Sequence, residues 1–354
     1  MAEHTKKKNK LLTMFVPMKG DKPAEIIRKC VLIAALIVAI VCVVLIVSQL
    51  STEAKDNQNN EDIRDIKELN TGGSFVIDEE EVEEIRNEVP GILDKYVDLY
   101  AENNDLVGWI KIDDLPIDYP VVQTTDNEYY LHRNFYGEEM FSGTIFMDYH
   151  DPLTAESTPD NIILYGHNMA NGSYFAKLTS YLPMRYGSLD FYLTHPTITF
   201  DTIYGEGTYK VFAGMYINVD DEDGYAYNYH HKWKFRNELE FMDFMGNIMD
   251  RSAFYTTVDV EYGDQILTLS TCYYPLGDSV DSRFVLFARK VREGESAEVD
   301  VSGAYINESP LYFDTYYNWT GTSWAGRNWD LSLVKDFDKY SDIIDSTKPN
   351  PDVY

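Results

Sequence analysis

Between Cys30 and Val47 the chain reads CVLIAALIVAIVCVVLIV, eighteen residues without a charge, and Ser48, Gln49 and Leu50 can extend the run toward an interface. At about 1.5 Å per residue, a helix of that length nearly matches the hydrocarbon core of a bilayer. A cleaved export signal is the alternative, but the run is longer than the apolar part of such a signal and no small-x-small cleavage site follows it. An uncleaved membrane anchor over 30–50 is therefore expected.

Charge sets the side on which each end should lie. Residues 1–29 carry eight Lys or Arg against three acids, and the remainder carries 22 against 56. The basic end should stay in the cytoplasm, with everything after Leu50 outside. A formal charge of -29 over 354 residues repels phosphate backbones across most of the surface, which excludes nucleic acid as a partner. Of the three cysteines, Cys30 and Cys42 lie in or at the edge of the anchor, so Cys272 is the lone external thiol. It has no partner for a disulfide within the exported chain, and is either a buried inert side chain or one kept for chemistry.

The exported part divides by composition. Residues 51–89 are polar and acidic, ending in DEEEVEEIRNE, and read as a solvated, partly helical stalk. Ile92, Leu93, Tyr96, Val97 and Tyr100 then recur at helical spacing, marking the start of a globular domain over 90–292. Eight β-rich runs follow, beginning near 107, 117, 143, 161, 198, 208, 265 and 283, with Gly, Pro, Asn and Asp between them. That pattern predicts a mainly β barrel or sandwich. A helix over 235–252 interrupts it, with Phe241, Phe244, Met245, Ile248 and Met249 on one face to pack on the sheet. Its opposite face is expected to be exposed and to wall a substrate groove. Residues 293–354 are acidic but rich in Tyr and Trp, a mixture that leaves docking, partner binding and a loose tail all open.

Three positions where strands meet loops carry reactive groups: His167 in YGHNM, Cys272 at the end of TLSTC, and Arg283 opening the last strand. If those strands are neighbours, a thiol, an imidazole and a guanidinium converge. Such a set suits acyl transfer, with Cys272 as nucleophile, His167 protonating the leaving amine and Arg283 donating to the tetrahedral oxyanion. Arg283 stays charged at any relevant pH and cannot be the acid or base. Taken singly, each residue also has an inert account: a strand-end hydrophobe, a turn histidine and a surface charge.

At these same positions the sequence resembles the class B sortases, membrane-anchored transpeptidases of Gram-positive bacteria. The resemblance is carried by NIILYGHNMANGSYFAKL (161–178), TLSTC (268–272) and RFVLFARKV (283–291), with VGWIKIDDLPIDYPVVQTTDNEYYL (107–131) and GTIFMD (143–148) upstream. It covers about Asp94 to Val291, and the helix between the sixth and seventh strands points to class B. It implies an eight-stranded sortase barrel with an N-terminal helix, and catalytic roles for Cys272, His167 and Arg283. Ser270 and Thr271 would line the groove beside the thiol, and Tyr273 would supply a backbone N–H. The implied reaction cuts the sorting signal of a surface protein or pilin, holds it as a thioacyl enzyme, and passes it to a peptidoglycan-precursor amine or a pilin lysine. No cofactor is implied, and residues 293–354 have no counterpart in the family pattern.

Two rival readings remain open at this point. A papain-like cysteine peptidase also uses Cys and His, but there Cys comes first and an Asn orients the His, whereas here His167 precedes Cys272 by 105 residues. A non-catalytic surface module, binding through its acidic face and aromatic tail, is the other. Asp148, His150, His167, His230 and His231 match no zinc spacing, and Asp220–Gly224 lacks the register of a calcium loop, so no metal site is expected.

Overall fold

Alternation along three short strands shows how the barrel is built. In β4 (Asn161–Tyr165), Ile162 and Leu164 join the barrel interior while Ile163 faces outward into a second apolar layer. β8 (Ile266–Cys272) sends Leu267 and Leu269 inward and Ile266 outward, and β9 (Ser282–Lys290) splits Phe284, Leu286 and Ala288 from Val285 and Phe287 in the same way. Successive side chains on a strand point to opposite faces, so strands covered on both sides read as unbroken apolar runs.

The computed structural model describes residues 14–183, 187–220 and 222–348. The first thirteen residues of the basic N-terminal segment, Asp221 of the acidic run and residues 349–354 of the C-terminal extension lie outside the described residues. With β1 (Leu106–Ile112), β2 (Ile117–Val122), β3 (Ile145–Met147), β5 (Thr197–Thr202) and β6 (Thr208–Asn218), the strands close in the order β1-β2-β3-β4-β8-β9-β6-β5. Pairing is antiparallel except at β2–β3 and β4–β8, which are parallel. This is the mainly β, eight-stranded barrel that the resemblance implied.

N-terminal to the barrel, one helix spans Pro23–Thr71. Its apolar stretch is almost wholly exposed, and among the described residues it is the one helix long and apolar enough to cross a membrane. Within the unit that begins at Asn60, the residues read as a polar stalk also supply core: Ile63, Val82 and Ile85 are buried with Tyr96, Val97, Leu99 and Trp109. The spacing of three between Val82 and Ile85 marks a narrow apolar stripe that the surrounding acids conceal in any average. Lys67 caps this contact, its Nζ 4.0 Å above the Trp109 ring, whose Nε1 donates to Asp118 at 2.6 Å.

The inserted helix, Glu238–Arg251, lies between the sixth and seventh barrel strands and is capped by Asn237, which accepts from the Glu240 N–H at 3.0 Å. Phe241, Phe244, Met245, Ile248 and Met249 pack inward as their spacing predicts. The opposite face is not the open groove wall expected from sequence. Every residue from Glu240 to Arg251 is buried, because the C-terminal extension covers the helix. Gly246 allows that approach: a Cβ there would stand 2.9 Å from Phe337 and from Ile344. Asp250 anchors the same contact, accepting from Arg327 Nη2 at 2.9 Å and from Trp329 Nε1 at 2.7 Å. The extension also adds a strand, β10 (Tyr305–Ile306), antiparallel to β7 (Phe254–Tyr255).

Candidate active site

Strand pairing alone gathers the three reactive residues. Cys272 and Arg283 are register partners at the end of the antiparallel β8–β9 ladder. Parallel pairing of β4 with β8 sets Tyr165 opposite Ser270, so the chain leaving β4 runs beside the end of β8. There the Gly166 N–H donates to the Ser270 carbonyl at 3.2 Å, the Thr271 hydroxyl to the Gly166 carbonyl at 2.7 Å, and Asn168 Nδ2 to the Cys272 carbonyl at 2.8 Å. His167 sits inside this lacing. A cleft of about 400 Å³ opens at the junction, lined by His167, Cys272, Arg283, Ser270, Thr271 and residues of the flanking loops.

The surroundings of His167 favour a neutral ring. Burial lowers its pKa below the ordinary histidine value, and His132 adds to the effect, while a hydrogen bond to the Leu131 carbonyl opposes it. That contact is 2.9 Å from Nε2, and a carbonyl only accepts, which assigns the hydrogen of the neutral ring to Nε2 and leaves Nδ1 as its basic atom. His132 and Phe141 flank the imidazole with near-parallel rings, centroids 5.7 and 6.0 Å away.

Arg283 is held on one side only. Its Nη1 meets Asp281, the Tyr274 hydroxyl at 3.3 Å and the Ser282 carbonyl at 3.1 Å. Among the described residues no protein acceptor engages Nε or Nη2. Burial works against the charge, but Cys272, Asp281 and Tyr274 together outweigh it and raise the pKa above the usual arginine range. Tyr274 is itself pushed up to about 12, by burial first and then by its hydrogen bond with Cys272.

Ser270 and Thr271 line the cleft, but both are nearly inaccessible and their hydroxyls have structural partners: Ser270 shares a 2.6 Å hydrogen bond with Tyr229, and Thr271 holds Gly166. Tyr273 departs from expectation. Its N–H donates to the Ser282 carbonyl at 3.1 Å as a continuation of the ladder, and so is engaged elsewhere than at an oxyanion. Tyr274, Asn168, Tyr229 and Asp281 are the contacts that sequence reading passed over. Asn168 adjoins the His block and Tyr274 follows Cys272 by two, but Tyr229 comes from a distant loop with no local signal.

The histidines weighed as metal ligands are otherwise engaged. His150 Nδ1 lies 2.9 Å from Asp148, whose other oxygen accepts from Tyr165 and Asn127 at 2.8 and 3.0 Å. His230 and His231 meet with tilted rings, centroids 4.4 Å apart. Among the described residues no group of three His, Cys, Asp or Glu has the geometry of a metal site.

A closed barrel whose strand ends bring a thiol, an imidazole and a guanidinium to one cleft has the groups of a cysteine acyl-transfer enzyme. Residues 110–291 match the sequence model of the Sortase domain. Sortase B of Listeria monocytogenes is 37% identical over 181 residues, 51% of this chain and 68% of the relative. Sortase B of Staphylococcus aureus is 32% identical over 190 residues, 54% and 72% of the respective chains. A solved Staphylococcus aureus sortase B–substrate complex superposes with a TM-score of 0.54 at 27% identity, covering 68% of this chain and 98% of that one. The chain belongs to the sortase family, within class B, and is a cysteine transpeptidase.

Proposed function

We propose that this enzyme cleaves the C-terminal sorting signal of exported proteins with Cys272 and joins the new acyl end to an amine of a cell-wall precursor or to a pilin lysine. The observation that carries this reading is the Cys272–Arg283 register pair at the strand end beside His167. Cys272 Sγ attacks the carbonyl carbon of the signal's Thr, and the thiol proton passes to Nδ1 of neutral His167. Nε and Nη2 of Arg283 donate to the carbonyl oxygen as it becomes an oxyanion. The C–N bond breaks, His167 returns the proton to the departing amine, and a thioester remains on Cys272. The acceptor amine then attacks that thioester, its proton leaves through His167, and the thiol is restored.

The charge asymmetry about the apolar run supports a cytoplasmic basic end, an anchor over 30–50 and a barrel on the outer side, where exported substrates pass. Full-length protein incubated with a panel of sorting-signal peptides provides the test. The expected result is peptide cleavage and an acyl mass increment mapping to Cys272, with amine trapping of the acyl group identifying the acceptor class. Cys272→Ala should fold with an unchanged melting temperature and show neither. Cleavage by Cys272→Ala would overturn the nucleophile assignment.

A further inference from the structure

The family match stops at Val291, yet the chain beyond it is built into the reactive end of the barrel. Phe313, 1% exposed, sets its ring edge-on to that of fully buried Tyr216, 5.2 Å between centroids, and Tyr312 and Tyr316 meet the same ring at 6.2 and 6.1 Å. Tyr216 lies on β6 and turns its hydroxyl toward β9, donating to Ser282 Oγ at 3.3 Å. Ser282 Oγ in turn donates to the Tyr273 carbonyl at 2.6 Å, with the Val280 carbonyl the competing acceptor at 3.4 Å. The Tyr273 N–H closes the loop onto the Ser282 carbonyl. Tyr273 follows Cys272 and Ser282 precedes Arg283, so this clamp grips the two reactive residues from behind.

A second tether runs parallel to the first. The Thr315 N–H donates to Asp223 Oδ1 at 2.9 Å, and the other oxygen of that carboxylate accepts from Asn218 at 2.8 Å. Asn218 ends β6 and pairs with Ser282. Two independent routes therefore lead from one short stretch of the extension to the same serine.

We propose that the C-terminal extension is a positioning element of this enzyme: Phe313 packs Tyr216 in place, and Tyr216, through Ser282, fixes the strand ends that carry Cys272 and Arg283. The inference rests on the catalytic assignment made above. Its physical basis is that donors and nucleophile must be held in register with a reacting carbonyl, where small displacements lower the rate without removing any group. Tyr216 and Phe313 touch no reacting atom and act only through the clamp.

The test compares full-length wild type, Tyr216→Phe, Phe313→Leu and the double variant in steady-state peptide cleavage, with melting temperature as the fold control. Tyr216→Phe keeps the ring and loses only the hydroxyl. Each single variant should lower kcat roughly tenfold with KM within about twofold, and the double variant should be little worse than either, because both act through one clamp. Unchanged kcat in folded Tyr216→Phe, or losses that multiply in the double variant, would overturn the inference. If Phe313→Leu does not fold, Tyr216→Phe decides alone. Cleavage retained by Cys272→Ala in the same assay would instead overturn the site assignment, a separate and distinguishable failure.

Discussion

Replacing Arg283 with lysine keeps the positive charge and separates two roles that a guanidinium can play. In the folded protein one nitrogen, Nη1, is committed to Asp281, Tyr274 and Ser282, while Nε and Nη2 remain for the cleft. Lysine has a single nitrogen at the end of a flexible stem. Asp281, two residues away on the same strand edge, captures that nitrogen, and the cleft then loses its donor although the net charge is unchanged. Removal of one preorganised oxyanion donor costs about 3–4 kcal/mol of transition-state stabilisation, or roughly a hundredfold to a thousandfold in kcat. Simple attraction of substrate by charge would survive the substitution and would fade with salt instead. The assay is cleavage of a fluorogenic sorting-signal peptide by wild type, Arg283→Lys and Arg283→Ala at low and high ionic strength. With a donor role for Arg283, lysine and alanine are similarly impaired and salt has little effect on either. Recovery of most activity by lysine, or a wild-type loss in salt that matches the alanine loss, would refute it.

Three further outcomes follow from the buried polar groups. His167→Gln should lose nearly all turnover while Cys272 stays alkylatable. The depressed pKa of His167 means the unfolded chain binds its proton first, so stability falls as pH drops below about 6.5, and pH-dependent melting of the variant should lack that component. Asp151, completely buried and driven up to about 8 mainly by burial, reverses the sign: the folded state holds a proton that the unfolded state releases, and stability declines between about pH 4 and 8 by at most about 1.4 kcal/mol per unit. Asp151→Asn, which keeps an acceptor for the Ile163 N–H, should flatten that decline in denaturant titrations across the range. Asp250→Ala leaves the Trp329 N–H without its acceptor and the Arg327 guanidinium with only the Ser341 and Ile344 carbonyls, and should destabilise the protein by about 1–3 kcal/mol, read as a lowered melting temperature. A shift below about 1 kcal/mol would mean that water or another partner satisfies Arg327.

The parts of this molecule that announce themselves in sequence are those set by local rules. The short β-rich runs of β4, β8 and β9 between turn residues, the apolar stripe of the inserted helix, and the reactive residues at strand ends all depend on neighbours within a few positions. The docking of the extension does not. Trp329, Val334, Phe337 and Ile344 are scattered among acids without a period, and their burial is decided by Asp250 and Gly246 on a helix some eighty residues earlier. The polar face of the inserted helix looks open in sequence for the same physical cause: Asp243, Asn247 and Asp250 are covered by partners no local pattern reveals. At the site, the Tyr273 N–H looks available in sequence because sequence carries no register. One more step of the β8–β9 ladder engages it.

The parallel contact between β4 and β8 has a consequence for the order of events as the chain folds. His167 precedes Cys272 by 105 residues, and no hairpin can join parallel strands so far apart. The β8–β9 hairpin can set Arg283 opposite the thiol locally, but until β4 has docked along β8 the imidazole is missing and the set is incomplete. Reactivity thus arrives with barrel closure rather than with synthesis.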